Sequence, residues 1–342
     1  MKNVMITGGA GFIGSNYVRY ALEAHPDWNV MALDKMTYAG NLDNLKDLLE
    51  AFGKRLIFVK ADIADREAIF DLIRQHEIDT IVNFAAESHV DRSILDPDAF
   101  IMTDVYGTYV LLEAAREFKL ERFHQVSTDE VYGDIPEGYS KETDPLEPNS
   151  PYSASKASAE LLIRSYRVTY NLPVTITRGS NTFGPFQYPE KLLPLFITNA
   201  IDDLPLPLYG DGMQVRDWLH VMDHAKGVDV ALTKGKVGEA YNVGGENEQH
   251  NIDVIRAMLK ILGKPASLIK RVTDRPGHDR RYALDTSKLR DLGWAPRDDF
   301  ETSLRETVDW YVNNEWWWRK IKSGEFKEFY RKQYEQRLAT AV

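Results

Sequence analysis

The sequence predicts a doubly wound α/β fold, a parallel sheet with helices on both faces, and three observations carry that prediction. Short apolar runs alternate with stretches of helical period through residues 1–178. The first run passes directly into Gly8-Gly9-Ala10-Gly11-Phe12-Ile13-Gly14, where a helical pattern starts. The polar residues suited to chemistry follow the ends of the apolar runs, the edge at which such sheets hold ligands.

Val4-Met5-Ile6-Thr7 reads as the first strand. The helix after it carries Phe12, Ile13, Tyr17, Val18 and Leu22 on a helical period. Gly8, Gly11 and Gly14 stand three apart. Small residues there let the backbone turn tightly and approach a pyrophosphate, whose charge a helix N-terminus favours. Strand, glycines and helix in that order make a dinucleotide fingerprint and a Rossmann-type sheet. A second strand, Asn29 to Leu33, ends at Asp34. A carboxylate there can bond an adenosine ribose diol and repels a 2′-phosphate, favouring NAD over NADP. Leu56-Ile57-Phe58-Val59 is a third strand, with Asp62-Ile63 beyond it in reach of an adenine. Ala64 to Gln75 reads as a helix and Thr80 to Phe84 as a fourth strand. Ala85 and Ala86 follow, small where a cofactor backbone needs room. A long helix is expected over about 98–118, then a strand from Arg122 to Val126.

That strand runs into Ser127-Thr128-Asp129-Glu130-Val131-Tyr132-Gly133, hydroxyls followed by two adjacent carboxylates. Ser150-Pro151 supplies an N-cap and a first-turn proline for the next helix, which carries Tyr152 and Lys156. At i,i+4 they share a helix face. The ammonium can then lower the phenol's pKa and let it take a proton from an alcohol near neutral pH. The same spacing also fits a Tyr at a helix edge beside a solvated Lys, and Asp-Glu pairs occur in ordinary polar loops. Beside the dinucleotide motif, the set suggests an alcohol oxidised and a second reaction on the same substrate.

Pro173 to Thr177 is another strand. After Arg178 the texture changes to loops rich in proline and glycine, with a helix from about Glu190 to Ile201. The segment from about 217 to 243 is expected to return to the main sheet. Residues 1–178 plus about 217–250 form the expected NAD-binding domain. Residues 179–216 plus about 251–342 form a smaller, mixed α/β substrate domain. Arg216, Arg275, His278, Arg280 and Arg281 offer local cations for a pyrophosphate, or surface ion pairs. His220 and His224 stand four apart like metal ligands, but no carboxylate motif supports them; a structural role and no metal are expected. Trp316-Trp317-Trp318 reads as packing or a contact patch.

A net charge of -10 argues against a nucleic-acid partner. It permits a nucleotide ligand, which a few cations and a helix N-terminus can hold. With no cysteine, disulfides, zinc thiolates and a thiol nucleophile are excluded. No apolar run approaches the ~20 residues of a membrane helix. Met1 leads into a strand rather than a signal peptide, so a cytoplasmic location away from membranes is expected.

Seven stretches then carry a resemblance: Thr7 to Gly14, Leu33-Asp34-Lys35 with Thr37 to Asn41, Ala85 to Ser93 (AAESHVDRS), Ser127 to Gly133, Tyr152 to Lys156 (YSASK), Pro189 to Leu192 (PEKL) and Asp274 to Tyr282 (DRPGHDRRY). On these the chain resembles the extended short-chain dehydrogenase/reductase family over almost its whole length. Within it, it looks most like the nucleotide-sugar 4,6-dehydratases that act on dTDP-glucose. The glycine and Tyr-Lys motifs mark the superfamily, whereas Thr-Asp-Glu is specific: similar sugar epimerases usually carry small hydroxyl residues there.

The resemblance implies that Tyr152, helped by Lys156, deprotonates the C4 hydroxyl while C4 gives hydride to NAD, with Thr128 orienting that hydroxyl. The new ketone acidifies C5, so Glu130 would remove its proton while Asp129 protonates the departing C6 hydroxyl. Hydride returned to C6 would leave a 4-keto-6-deoxy sugar and regenerated NAD. One carboxyl must therefore start ionised and its neighbour protonated. The implied cofactor contacts are Gly8, Gly11, Phe12, Ile13, Gly14, Asp34, Lys35, Met36, Thr37, Asp62, Ile63, Ala85, Ala86, Thr103, Tyr152, Lys156 and Thr182. Ser88, Thr128, Asn181, Lys191, Leu192, Pro207, Tyr209, Arg216, Asn251, Arg275 and His278 would line a nucleoside-diphosphate glucose, dTDP-glucose favoured.

The resemblance also implies a homodimer through a four-helix interface built by the helices at about 98–118 and 150–170. Apolar faces including Val105, Tyr109, Leu112, Leu161 and Tyr166 would be covered there. The chain departs from its relatives at Asn181-Thr182-Phe183-Gly184-Pro185, where Asn-Asn-Tyr-Gly-Pro is common, and at Asp104, where Asn is expected. Two further classes stay in view. A C4 epimerase is disfavoured by Asp129-Glu130, and a non-enzymatic NAD-binding protein is disfavoured by the complete proton-transfer set.

Overall fold

The computed structural model describes residues 1–274, 278–297, 299–323 and 325–339. Arg275 lies outside them. Strands β1 (Asn3–Thr7), β2 (Asn29–Asp34), β3 (Leu56–Lys60), β4 (Thr80–Asn83), β5 (Arg122–Thr128), β6 (Val174–Gly179) and β10 (Ala240–Val243) form one parallel sheet. Their order is β10-β6-β5-β4-β1-β2-β3. The order reverses between β1 and β4, which opens a crevice beyond their carboxyl ends.

Successive strand residues point to opposite faces. Met5, Met31 and Leu33 accordingly join a core with Ile69 of α3 (Arg66–Gln75), Leu111 of α6 (Thr108–Glu117) and Ile163 of α7 (Pro151–Tyr170). Val4, Ile6, Val30 and Ala32 join the opposite core, with Val18 and Leu22 of α1 (Phe12–Ala24) and Val228 of α9 (Val221–Lys234). Both faces are covered, which is why these strands read as unbroken apolar runs.

The long helix expected at 98–118 is continuous but changes character: α5 (Pro97–Phe100), a π-helical stretch Ile101–Gly107, then α6. Two side chains expected on its exposed face and that of α7 are instead internal. Leu112 packs in the core against the sheet, and Tyr166 is buried with its hydroxyl donated to Glu113 Oε1 at 2.7 Å. Val105 and Tyr109 are half-buried, and Leu161 is 60% exposed.

The return to the main sheet expected over 217–243 is made by β10 alone. β9 (Val215–His220) pairs instead with β7 (Asn181–Phe183) and β11 (Glu248–His250) in a small sheet. A second small sheet joins β8 (Leu206–Tyr209) to β12 (Ile269–Val272). Helices α8 (Leu192–Ile201), α10 (Asn251–Leu262), α12 (Phe300–Asn313) and α13 (Glu315–Ile321) bury a core of their own. The tryptophan run belongs to it. Trp317 and Trp318 are buried and donate their indole N–H groups to Asn44 Oδ1 (2.8 Å) and the Tyr311 carbonyl (2.9 Å), while Trp316 is exposed.

Candidate active site

A cavity of about 290 Å³ follows the carboxyl edge of β1, β2, β4 and β5, and a second of about 150 Å³ continues from it toward α8 and β8. Glu130, Asn181, Glu190 and Lys191 line both, so the two form one trench. The first gathers Gly8, Gly11, Phe12, Ile13, Gly14, Asp34, Lys35, Thr37, Asp62, Ile63, Ala85, Ala86, Ser88, Thr103, Thr128, Asp129, Glu130, Tyr152, Lys156 and Thr182. Leu192, Pro207, Tyr209, Arg216, Asn251 and His278 line the second.

Met36 lines neither. Its φ of 60° turns its N–H onto Asp34 Oδ1 at 2.8 Å, and its side chain packs toward the α1 core. Arg280 and Arg281 are also elsewhere, paired with Asp211 and Glu248. Sequence reasoning passed over Tyr334, Asp91, Glu190 and His224, all of which line the trench. Asp91 and Glu190 sit inside motif runs and were findable; Tyr334 carries no local signal.

The glycines fit a dinucleotide for a reason of space. Gly8 has φ +66°, and a Cβ there would meet the backbone of Phe84 and Ala85 at 2.8 Å. A Cβ on Gly14 would stand 2.1 Å from the Gly8 carbonyl oxygen. The loop thus lies against the end of β4 and against its own helix, whose N-terminus favours an anion. Asp34, at the end of β2, accepts from Ala10 N–H at 3.1 Å as well as from Met36. Lys35 pairs with Asp62 at 2.7 Å across the same end.

At the other end, β5 delivers Thr128, Asp129 and Glu130 in a single turn. Thr128 Oγ1 caps that turn by accepting from Glu130 N–H at 3.3 Å, and it donates to Asp129 Oδ1 at 3.1 Å. Ser150 caps α7 through a reciprocal bond with Ser153, with Pro151 in the first turn, which puts Tyr152 at the helix mouth and Lys156 one turn deeper. Burial pushes the Asp129 carboxyl well above the usual range, and the adjacent Glu130 and Asp217 add to it. The Asp129 carboxyl is thus biased toward its protonated form. Burial also raises the Tyr152 phenol, helped by Glu130 and Asp104 and opposed by the Thr128 hydroxyl. The expected lowering of the phenol by Lys156 is not what this geometry gives. Burial lowers Lys156 itself, and its ammonium donates to the Val126 carbonyl at 2.9 Å.

His220 accepts from Met222 N–H and so caps α9, and His224 Nδ1 lies 2.8 Å from Thr182 Oγ1. Among the described residues no group of three or more His, Cys, Asp or Glu could hold a metal ion. No described helix is long and apolar enough to cross a membrane.

The sequence profile of the GDP-mannose 4,6 dehydratase family matches residues 5–307. A dTDP-glucose 4,6-dehydratase of Shigella flexneri is 47% identical over 361 residues, covering 98% of this chain and 99% of its own. Among solved structures, a dTDP-glucose 4,6-dehydratase from Streptomyces venezuelae with NAD and a dTDP ligand bound superposes with a TM-score of 0.90. It is 48% identical and covers 94% of this chain and 100% of its own. One from Bacillus anthracis in complex with NAD gives a TM-score of 0.87 at 47% identity, with the same coverage.

Proposed function

The chain belongs to the GDP-mannose 4,6 dehydratase family, and on that footing we propose that it is an NAD-dependent dTDP-glucose 4,6-dehydratase, converting dTDP-glucose to dTDP-4-keto-6-deoxyglucose and water. The observation that carries this reading is the turn at the end of β5, where buried Asp129, its carboxyl pushed up by burial, and its neighbour Glu130 share a cavity with Tyr152. NAD, when bound, would supply the hydride acceptor for C4 and the hydride donor for C6. Gly8, Gly14 and Asp34 would hold it. Tyr152 takes the C4 hydroxyl proton, and Thr128 orients that hydroxyl. Once C4 is a ketone, Glu130 removes the C5 proton. Asp129 gives its proton to the departing C6 hydroxyl, the division of labour that two carboxyls in unlike environments permit.

Residues 1–178 plus about 217–250 serve as the NAD-binding domain in this reading, supported by α9 packing on α1 and β10 joining the sheet. Residues 179–216 plus about 251–342 bind the nucleotide sugar. We also propose a cytoplasmic homodimer. Leu95, Ile101, Met102, Tyr106, Leu161 and Val168 are exposed on or beside α5, the π-helical stretch and α7, an apolar surface suited to a four-helix interface.

A panel of nucleoside-diphosphate glucoses, assayed for 4-keto-6-deoxy product, tests the function. The dTDP sugar should turn over best, without NADH accumulating in proportion to product. Stoichiometric NADH release would point to a net dehydrogenase, and interconversion at C4 without loss of water to an epimerase.

A further inference from the structure

The seam between the π-helical stretch and α7 holds a carboxyl for which the chemistry above has no use. Asp104 is only 2% exposed and sits within Ile101–Gly107. Such widened turns recur at functional positions. Its Oδ1 accepts from the backbone N–H of Glu87 at 2.9 Å, and its Oδ2 lies 2.6 Å from Ser155 Oγ. Ser155 Oγ is also 2.7 Å from the carbonyl of Tyr152. A hydroxyl has one proton to give. When Asp104 is ionised, Ser155 donates to it. When Asp104 is protonated, it donates to Ser155, which then donates to the Tyr152 carbonyl. Both charge states are satisfied without moving a heavy atom. The ionisable groups facing this carboxyl are Lys156 and Tyr152 on α7 and Glu87 on the loop after β4.

We propose that Asp104 is a positioning residue for the first proton transfer: its charge state sets how firmly Lys156 holds its proton and how readily Tyr152 gives one up. This rests on the roles given to Tyr152 and Lys156 above. Ionised, Asp104 is the counter-charge that keeps a buried ammonium charged. The same charge opposes a phenolate on Tyr152. Burial lifts the Asp104 carboxyl to about 6, although Lys156, the Ser155 hydroxyl and the Glu87 N–H pull it down. It therefore changes charge just below neutral pH.

Asp104→Asn keeps the acceptor for Glu87 and donates to Ser155, so it copies the protonated form. The test is the pH profile of single-turnover NADH formation in parent and variant. The two profiles should converge below about pH 6. The alkaline limb, where Lys156 loses its proton, should fall about one pH unit lower in the variant. A rate reduced by one constant factor at every pH overturns the proposal.

Thermal unfolding without cofactor or substrate gives an independent readout. The folded-state pKa is raised, so the folded chain binds a proton that the unfolded chain has released between about pH 4 and pH 6. The parent should lose stability relative to the variant across that window, and parallel curves would count against Asp104 titrating at all. Tyr152→Phe separates the two readings: near-parent activity would sink the assignment of Tyr152 and leave the unfolding result for Asp104 standing.

Discussion

On the side of the trench proposed for the cofactor, most lining residues lie within a few residues of a strand end. On the side proposed for the sugar nucleotide they come from segments far apart in the chain. Gly8, Gly11 and Gly14 act through what they lack, and Asp34 is fixed by N–H groups of its neighbours. Across the trench, Tyr209 of β8 donates to Asp91 Oδ2 at 3.0 Å, and Gln333 donates to the same oxygen at 2.8 Å. Backbone sites tolerate side-chain change until space runs out, whereas side-chain sites lose one contact at a time. Substitutions on the two sides should therefore fail in different ways.

The largest effects belong where the two sides meet. Tyr152→Phe should lower turnover by ~10²–10⁴-fold, the usual worth of a general base, with little NADH formed on mixing with substrate. Glu130→Gln should lose a similar factor at a later step, so bound NADH accumulates while solvent deuterium fails to enter C5. Asp129→Asn should let C5 exchange proceed while C6 hydroxide leaves poorly. Near-parent water elimination by Glu130→Gln would invalidate the division of labour between the pair.

Gly14→Ala tests the backbone side. With 2.1 Å between the new methyl and the Gly8 carbonyl oxygen, the loop must shift. Overpacking of this kind costs about 1–3 kcal/mol, so NAD affinity measured by titration should fall roughly 10–100-fold. An unchanged affinity would show that the loop gives way freely and that the contrast between the two sides is false.

Arg216→Ala tests the side-chain side. Arg216 lines the second cavity, its guanidinium held by the Val215 and Asp279 carbonyls, so the KM for the nucleotide sugar should rise about tenfold with kcat nearly kept, as for loss of a charge-assisted hydrogen bond. Arg280→Ala should change KM by less than about twofold, because that arginine is spent on exposed Asp211. Equal effects from the two arginines would blur the boundary drawn for the site.

The same contrast governs what the sequence reveals. Strand, glycines and helix lie consecutively, so their geometry is written locally, and the alternation of Val4, Met5 and Ile6 between two cores leaves its mark as an unbroken apolar run. The turn proposed as catalytic was readable because Thr128 to Glu130 are contiguous and Tyr152 and Lys156 share one helix. Tyr334 was not, since it reaches the trench from a segment more than a hundred residues beyond β8. Arg280 and Arg281 looked like ligand cations because a sequence does not show which acids fold against them. Leu112 and Tyr166 show the matching limit for surfaces, where helical period finds an apolar face without telling core from interface.

Trp317 reaches back 273 residues to Asn44, whose side-chain N–H in turn holds the Ala10 carbonyl of the glycine loop at 2.9 Å. Translation makes that loop first and its brace last. At ribosomal speeds of ~5–20 residues per second, roughly 15–60 s separate the two. A nascent chain can pair β1 with β2 and seat Asn44 on the loop in that interval, but Asn44 itself waits for Trp317. Messages cut short before α13 would thus yield a sheet whose glycine loop rests on an Asn44 without its Trp317 partner.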